Sequence, residues 1–268
     1  MILKGTGVFR NLAAGGYYPL PYYSASAVRM AKGSARNLKA SLTKRSPKST
    51  PAMEFGTAFH TLCLEPEIFA TDYVLLPDGL DFVKKEGKDL KKAAIAEGKT
   101  MLKEKDLRKL EAMRDSLMSH PWMAEHFDIA MADVEISLIN NIEGCMVKSR
   151  LDTYFPELAM SIDLKTTMDA SPGTWKRQIR FDGYRLQAAI YVNQLKLQGL
   201  PARRFVFAAV EKDSPHTVGL YEMSEASLEA AWQEAKELFR QAALPADKEH
   251  YNSEPTLFDY EPTKLKLF

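Results

Sequence analysis

With only two cysteines in 268 residues, Cys63 and Cys145, the chain can build neither a disulfide framework nor a four-cysteine zinc or iron–sulfur site. No uninterrupted apolar run approaches the ~18–20 residues that cross a bilayer, so no membrane association is expected. The opening, MILKGTGVFRNLAAGGYYP, has no long apolar stretch of the kind that marks a secretory leader. Excess charge is also lacking, with 36 basic and 35 acidic side chains giving a net +1. Internal repeats are missing too. Glu97-Gly98-Lys99-Thr100 imitates the end of a phosphate-binding loop, but Ala93 stands where the first glycine belongs and no apolar strand precedes it, so ATP binding is not expected. These absences, with 46% hydrophobic and 26% charged residues, point to a reduced, cytoplasmic globular protein of ordinary composition. Its length suits one large domain.

Balanced charge is not evenly spread charge. From Arg29 to Lys48 there are seven basic residues and no acidic one, whereas 222–261 is strongly acidic. A basic arm inside a balanced chain suits contact with a phosphate backbone, where each cation displaces a condensed counterion. On charge alone, a solvated helix face is the simpler reading.

The pattern of breakers and periodicity predicts a helical lead-in followed by an α/β core. The opening reads as loop, because Gly15-Gly16, Pro19 and Pro21 interrupt it. Ser24 is expected to cap one basic helix over 24–42, and 52–65 forms a second helix stopped by Pro66. The charged span 77–100 reads as an insertion or a solvated helix, with a helix over 101–119 after it. From Asp133 the period turns strand-like: DVEISLIN, CMVKSRLDTYF and AMSIDLKTT form an antiparallel meander. One long helix is expected over 172–198, then strands RRFVFAAVEK and HTVGLYEM, then an amphipathic helix capped by Ser224. The expected organisation is one domain over 1–268, with a basic arm over 1–52, a core over 53–243 and a C-terminal tail over 244–268.

Chemistry concentrates in KSRLDTYFPELAMSIDLKTT, residues 148–167. On a strand, residues two apart share a face, so Asp163 and Lys165 point one way while Ile162 and Leu164 point into the core. A turn centred between Glu157 and Leu158, as Pro156 suggests, sets Asp152 opposite Asp163. Two like charges facing across a ladder repel unless something neutralises them, and a divalent metal would. Carboxylate oxygens suit Mg²⁺, with Mn²⁺ able to substitute, rather than zinc. Lys165 beside such a metal would hold a water or stabilise a phosphate. Gln187 and Tyr191, four apart, share one helical face and could orient a carboxylate, a water or a DNA end. A D-x-K tripeptide alone is common, and so is a Q-x-x-x-Y surface pair.

Taken in order, Asp152, Asp163-x-Lys165 and Gln187-x-x-x-Tyr191 resemble the motifs of the RecB-like branch of the PD-(D/E)xK nucleases. With AMEFGTAFHTLCLEPEIF and FVFAAVEKDSP, most of residues 20–240 is similar to the nuclease domain of RecE-type exodeoxyribonuclease VIII. The resemblance implies a restriction-endonuclease-like α/β fold with a mixed central sheet flanked by helices. It also implies a magnesium-dependent exonuclease that runs 5′→3′ at duplex DNA ends and leaves 3′ overhangs for recombination or repair, in phage or prophage style. Asp152, Asp163, Lys165, Gln187 and Tyr191 would be catalytic. His60, Asp152, Asp163 and the Leu164 carbonyl would hold the metal. Arg29, Lys32, Arg36, Lys39, Arg177 and Arg180 would track the DNA backbone without reading sequence. The implied partners are a single-strand annealing protein and further copies of the chain in a ring of three or four.

Two other readings fit the same residues: a structure-specific or restriction-type endonuclease, and a non-catalytic DNA-binding scaffold. The last five residues, Lys264-Leu265-Lys266-Leu267-Phe268, resemble the Leu-x-Leu-Phe core of peptides that dock on bacterial sliding clamps, without the leading glutamine. A tail packed on its own or a neighbouring subunit is the simpler expectation.

Overall fold

The computed structural model describes residues 5–10, 12–31, 33–43, 49–79 and 84–245. Lys32 and the Lys264–Phe268 segment lie outside them. In chain order the elements are β1 (Gly7–Phe9), α1 (Ala14–Tyr17), β2 (Tyr23–Ser24), α2 (Ala25–Ala31), α3 (Ala35–Ser41), α4 (Pro51–Leu64), α5 (Pro66–Asp72), β3 (Tyr73–Leu76), α6 (Lys85–Ala96), β4 (Thr100–Lys103) and α7 (Glu104–Ser119). Then come α8 (Pro121–His126), β5 (Asp133–Ile142), β6 (Cys145–Phe155), β7 (Met160–Thr167), α9 (Pro172–Phe181), α10 (Tyr184–Leu197), β8 (Arg204–Glu211), β9 (Val218–Glu222) and α11 (Glu225–Ala243).

The main sheet runs β1-β5-β6-β7-β8-β9, with β2 pairing in parallel to β6. β5, β6 and β7 form the expected antiparallel meander, and β8 returns parallel to β7 after the α9–α10 crossover. Hydrophobic cores lie on both faces. Val28, Ile190, Leu195, Phe205 and Phe239 belong to the core beneath α2, α10 and α11, whereas Phe59, Leu110, Met123, Ile162 and Leu164 belong to the one beneath α4, α7 and α8. This is a mixed α/β fold with helices on both sides of a mixed sheet. No helix among the described residues is long and apolar enough to cross a membrane.

The caps fall where the hydroxyls promised. Ser24 accepts from the Ala27 N–H at 3.0 Å and Ser224 from the Ser227 N–H at 3.2 Å, each satisfying an orphan donor of a helix start. Elsewhere the elements are shorter than the periodicity implies. The basic helix over 24–42 is two helices, split before Gly33, whose φ is +77°, with Ser34 capping the second through the Asn37 N–H. The helix over 172–198 is likewise split, at Gly183 with φ +74°. The span 101–119 holds strand β4 before α7, and the charged insertion contains α6. The opening, read as loop, contributes β1 and β2 to the main sheet, because two or three residues can pair with an existing edge without forming a long element.

That N-terminal segment is strapped across β6. The buried Lys148 ammonium donates to the carbonyls of Tyr17 at 3.1 Å, Tyr18 at 2.9 Å and Leu20 at 2.8 Å. Burial draws its pKa down to about 8, and the three carbonyls use all three of its donors. Two residues on, Arg150 donates to the Leu12 carbonyl at 2.7 Å and to Glu135.

Gly183 makes a close joint between two helices. A Cβ there would lie 2.7 Å from Arg29 Cγ and 3.0 Å from its Cα, so α2 docks on the start of α10 only because no side chain intervenes. Gly183→Ala should destabilise the fold by about 2 kcal/mol or more, combining the left-handed backbone penalty with displacement of α2. Urea unfolding reads this directly; a midpoint equal to wild type would contradict it.

Candidate active site

The site sits where the β6–β7 hairpin comes apart. Pairing runs Phe155–Met160, Tyr154–Ser161 and Thr153–Ile162, in the register that sets Asp152 opposite Asp163. There the ladder ends. The Asp152 carboxylate occupies the opening and accepts the Leu164 N–H at 2.8 Å, replacing a strand partner. The alternation of β6 slips at the same point: Leu151 and Tyr154, three apart, both enter the core beneath α10.

β5 bends beside it. Ile136 joins the core beneath α10, whereas Val134 packs on the opposite core, so the faces exchange at Glu135. Glu135 has φ +49°, a left-handed conformation that costs a non-glycine residue roughly 1–2 kcal/mol. Its carboxylate thereby shares a gap with Asp152. His60 reaches the same gap from the middle of α4, its Nδ1 3.3 Å from Asp152 Oδ2. One ligand atom from each of His60, Glu135 and Asp152 falls within 4.8 Å of the others.

Across the gap, Asp163 is 3% exposed, and its two oxygens have different partners. Oδ2 pairs with Lys165 Nζ, and Oδ1 accepts from Gln187 Nε2 at 3.2 Å. Gln187 Nε2 also donates to Tyr191 Oη at 3.1 Å, so the two α10 residues act on the carboxylate as one unit.

Electrostatics separate the acids. Burial would raise Asp152, but His60, Lys165 and the Leu164 N–H outweigh it and hold the carboxyl below the usual range. Burial pushes Asp163 up to about 6, with Asp152 adding and Lys165 opposing. Glu135 is raised by burial and by Asp152 against the pull of Arg150. Burial works against the charge on His60 and Lys165, yet the neighbouring aspartates prevail and both pKa values rise. Burial, reinforced by Asp163, places the Tyr191 phenol well above its ordinary value.

The geometry brings together His60, Asp152, Asp163, Leu164, Lys165, Gln187 and Tyr191. The model of a family described as "PDDEXK-like domain of unknown function (DUF3799)" matches residues 24–250. The chain belongs to this family. No curated protein matches it. Among solved structures, this PDDEXK-like chain is similar to a candidate exonuclease from Eubacterium rectale, with a TM-score of 0.58, 13% identity and 86% of each chain covered. A phage-related exonuclease from Haemophilus somnus 129PT aligns over 82% of this chain and 94% of its own, at 11% identity and a TM-score of 0.35. The first likeness is one of fold, and it agrees with the family.

Glu135 escaped the sequence reading. In DVEISLIN it alternates with Val134 and Ile136 as an exposed strand residue would, and nothing in those letters signals a left-handed backbone. The expected basic arm is not continuous either. Arg29 lies beside the site, its guanidinium 4.7 Å from the Tyr184 ring centre, but Arg36 is exposed on α3 and Lys39 donates to the Leu244 carbonyl at the end of α11. Arg177 and Arg180 are exposed on α9, the latter over the Phe181 ring at 5.2 Å. Glu211 is structural: its carboxylate accepts the Ala170 N–H at 2.8 Å.

Proton linkage follows from these shifts. Asp163 is raised on folding, so its contribution to stability is full below the unfolded value of about 3.9 and is lost as pH rises through about 6. His60, also raised, loses its contribution at higher pH, above its ordinary ~6.5. The metal-free protein should therefore melt at progressively lower temperature as pH rises from 5 to 8, and Asp163→Asn should flatten the lower part of that slope. An identical slope in the variant would contradict the placement of Asp163.

Proposed function

We propose that this chain is a magnesium-dependent exodeoxyribonuclease that resects double-stranded DNA ends. One observation carries the reading: His60, Glu135, Asp152, Asp163 and Lys165 converge on a single opening in the sheet. The donor set is one imidazole with hard carboxylate oxygens, which suits Mg²⁺ or Mn²⁺. Two of the carboxyls, Glu135 and Asp163, are driven toward their neutral forms by burial, with Asp152 adding to it, a penalty that a divalent cation relieves.

His60, Asp152 and Asp163 would hold the ion, with Glu135 joining them. The Leu164 carbonyl is a further ligand in this reading. Leu164 sends its N–H to Asp152, and in an extended strand the N–H and C=O of one residue face the same edge. When bound, the metal supplies Lewis acidity toward a phosphate oxygen and lowers the pKa of a water. Lys165 orients the attacking water and neutralises charge that builds on the scissile phosphate. Gln187 and Tyr191 keep the Asp163 carboxylate aimed into the opening.

Arg29, Arg177 and Arg180 contact the DNA backbone near the site, and Arg36 meets it farther along. Lys39 is engaged at α11 and contributes little. Preference for ends, 5′→3′ direction, 3′ overhangs for an annealing protein, and a ring of three or four copies are supported by the resemblance to RecE-type nucleases.

Lys165→Ala should lower magnesium-dependent degradation of linear duplex by about 10²–10³-fold without weakening magnesium binding in calorimetry. Glu135→Gln should weaken that binding by roughly 10–100-fold. Full cleavage by the lysine variant would sink the proposal, and unchanged magnesium affinity in the glutamine variant would remove Glu135 from the ligand set.

A further inference from the structure

Lys165 has one carboxylate partner among the described residues, Asp163, and that carboxylate is already shared with Gln187. Its side chain keeps 19% of its surface exposed, and a flexible four-carbon stem leaves the ammonium several positions to occupy. Besides Asp163, the ammonium faces the ring of Tyr184, whose centre lies 5.6 Å from Lys165 Nζ. From the nuclease reading above and this contact, we infer that Tyr184 is a positioning residue that presents the Lys165 ammonium to the reacting phosphate through the face of its ring.

The ring is itself immobilised, as such a role requires. Trp175 stacks on it at 5.6 Å with an interplanar angle of 16°, and Phe207 packs at 5.5 Å and 56°. Trp175, fully buried, stacks in turn on Tyr221 at 5.4 Å and 5°. The Arg29 guanidinium sits 4.7 Å from the ring centre of Tyr184, and Gly183, the residue before it, is pinned against Arg29. The phenol of Tyr184 has no hydrogen-bond partner among the described residues, so its neighbours hold it by the ring. A cation against an aromatic face away from bulk water is held more firmly than one on an open surface. The aromatic column thus runs from the β9 edge to the catalytic lysine, and the crossover that joins β7 to β8 serves the site as well as the fold.

The test compares Tyr184→Phe, which keeps the ring, with Tyr184→Met, which fills similar space with a flexible apolar chain. On linear duplex at saturating magnesium, Tyr184→Met should lose roughly ten- to thirty-fold in kcat with KM within about twofold, and Tyr184→Phe should stay near the wild-type rate. Equal loss in both variants would mean that the hydroxyl acts directly, and a rise in KM alone would mean a DNA contact; either overturns the positioning role, as does an unchanged rate in Tyr184→Met. A second readout needs no cleavage. The ε-methylene protons of Lys165, assigned by their disappearance in Lys165→Arg, should resonate upfield through the ring current in wild type and Tyr184→Phe, and return toward ordinary lysine positions in Tyr184→Met. A Lys165 signal indifferent to Tyr184→Met overturns the inference even if the enzyme is active. Absence of cleavage by wild type would instead overturn the nuclease reading, leaving the NMR comparison to decide the contact.

Discussion

Strands β6 and β7 stop pairing one residue short of their two aspartates, and the site depends on that opening. Were the ladder to continue, Asp152 and Asp163 would face each other across a regular sheet, and each would have to be solvated or neutralised there. Instead the Asp152 carboxylate accepts the Leu164 N–H, β5 bends at Glu135 on the neighbouring side, and His60 enters from α4. Backbone that would have spent its donors on a partner strand is left facing a concentration of negative charge. The bend at Glu135 costs roughly 1–2 kcal/mol, a strain that the dense cores on both sheet faces can carry. Irregularities of this kind at sheet positions re-aim side chains, and here they turn Glu135 and Asp152 toward the gap that His60 enters from α4.

Around the opening, each chemically important group is fixed by a neighbour with little freedom of its own. Gln187 binds Asp163 and Tyr191 together from the buried face of α10. Arg150 pairs with Glu135 and ties Leu12, while Lys148 ties Tyr17, Tyr18 and Leu20, so the same strand that supplies Asp152 also draws the N-terminal segment over the sheet. The KSRLD run therefore alternates Lys148 and Arg150, which tie the N-terminal segment, with Asp152 at the opening.

The core of this arrangement was legible in the letters. Pro156 fixed the hairpin centre and hence the opposition of Asp152 and Asp163, while the spacing of Gln187 and Tyr191 put them on one helical face. The meander and the crossover helices followed from changes of hydrophobic period. What escaped was backbone conformation. Gly33 and Gly183 sit inside runs whose apolar spacing continues on both sides, so each split helix read as one. Glu135 keeps strict alternation with its neighbours, and only its positive φ brings it to the site. Strands β1 and β2 are too short to carry a period of their own and exist because the main sheet offers them an edge.

Under the proposed function, this opening cuts DNA from its ends with a divalent metal. The direct measurement compares linear duplex, carrying separate labels on its 5′ and 3′ termini, with covalently closed circular duplex, each in magnesium and in EDTA. The expected result is magnesium-dependent loss of the linear substrate alone, the 5′ label released first. Cutting of the closed circle would contradict the exonuclease assignment, and survival of both substrates in magnesium would contradict catalysis itself.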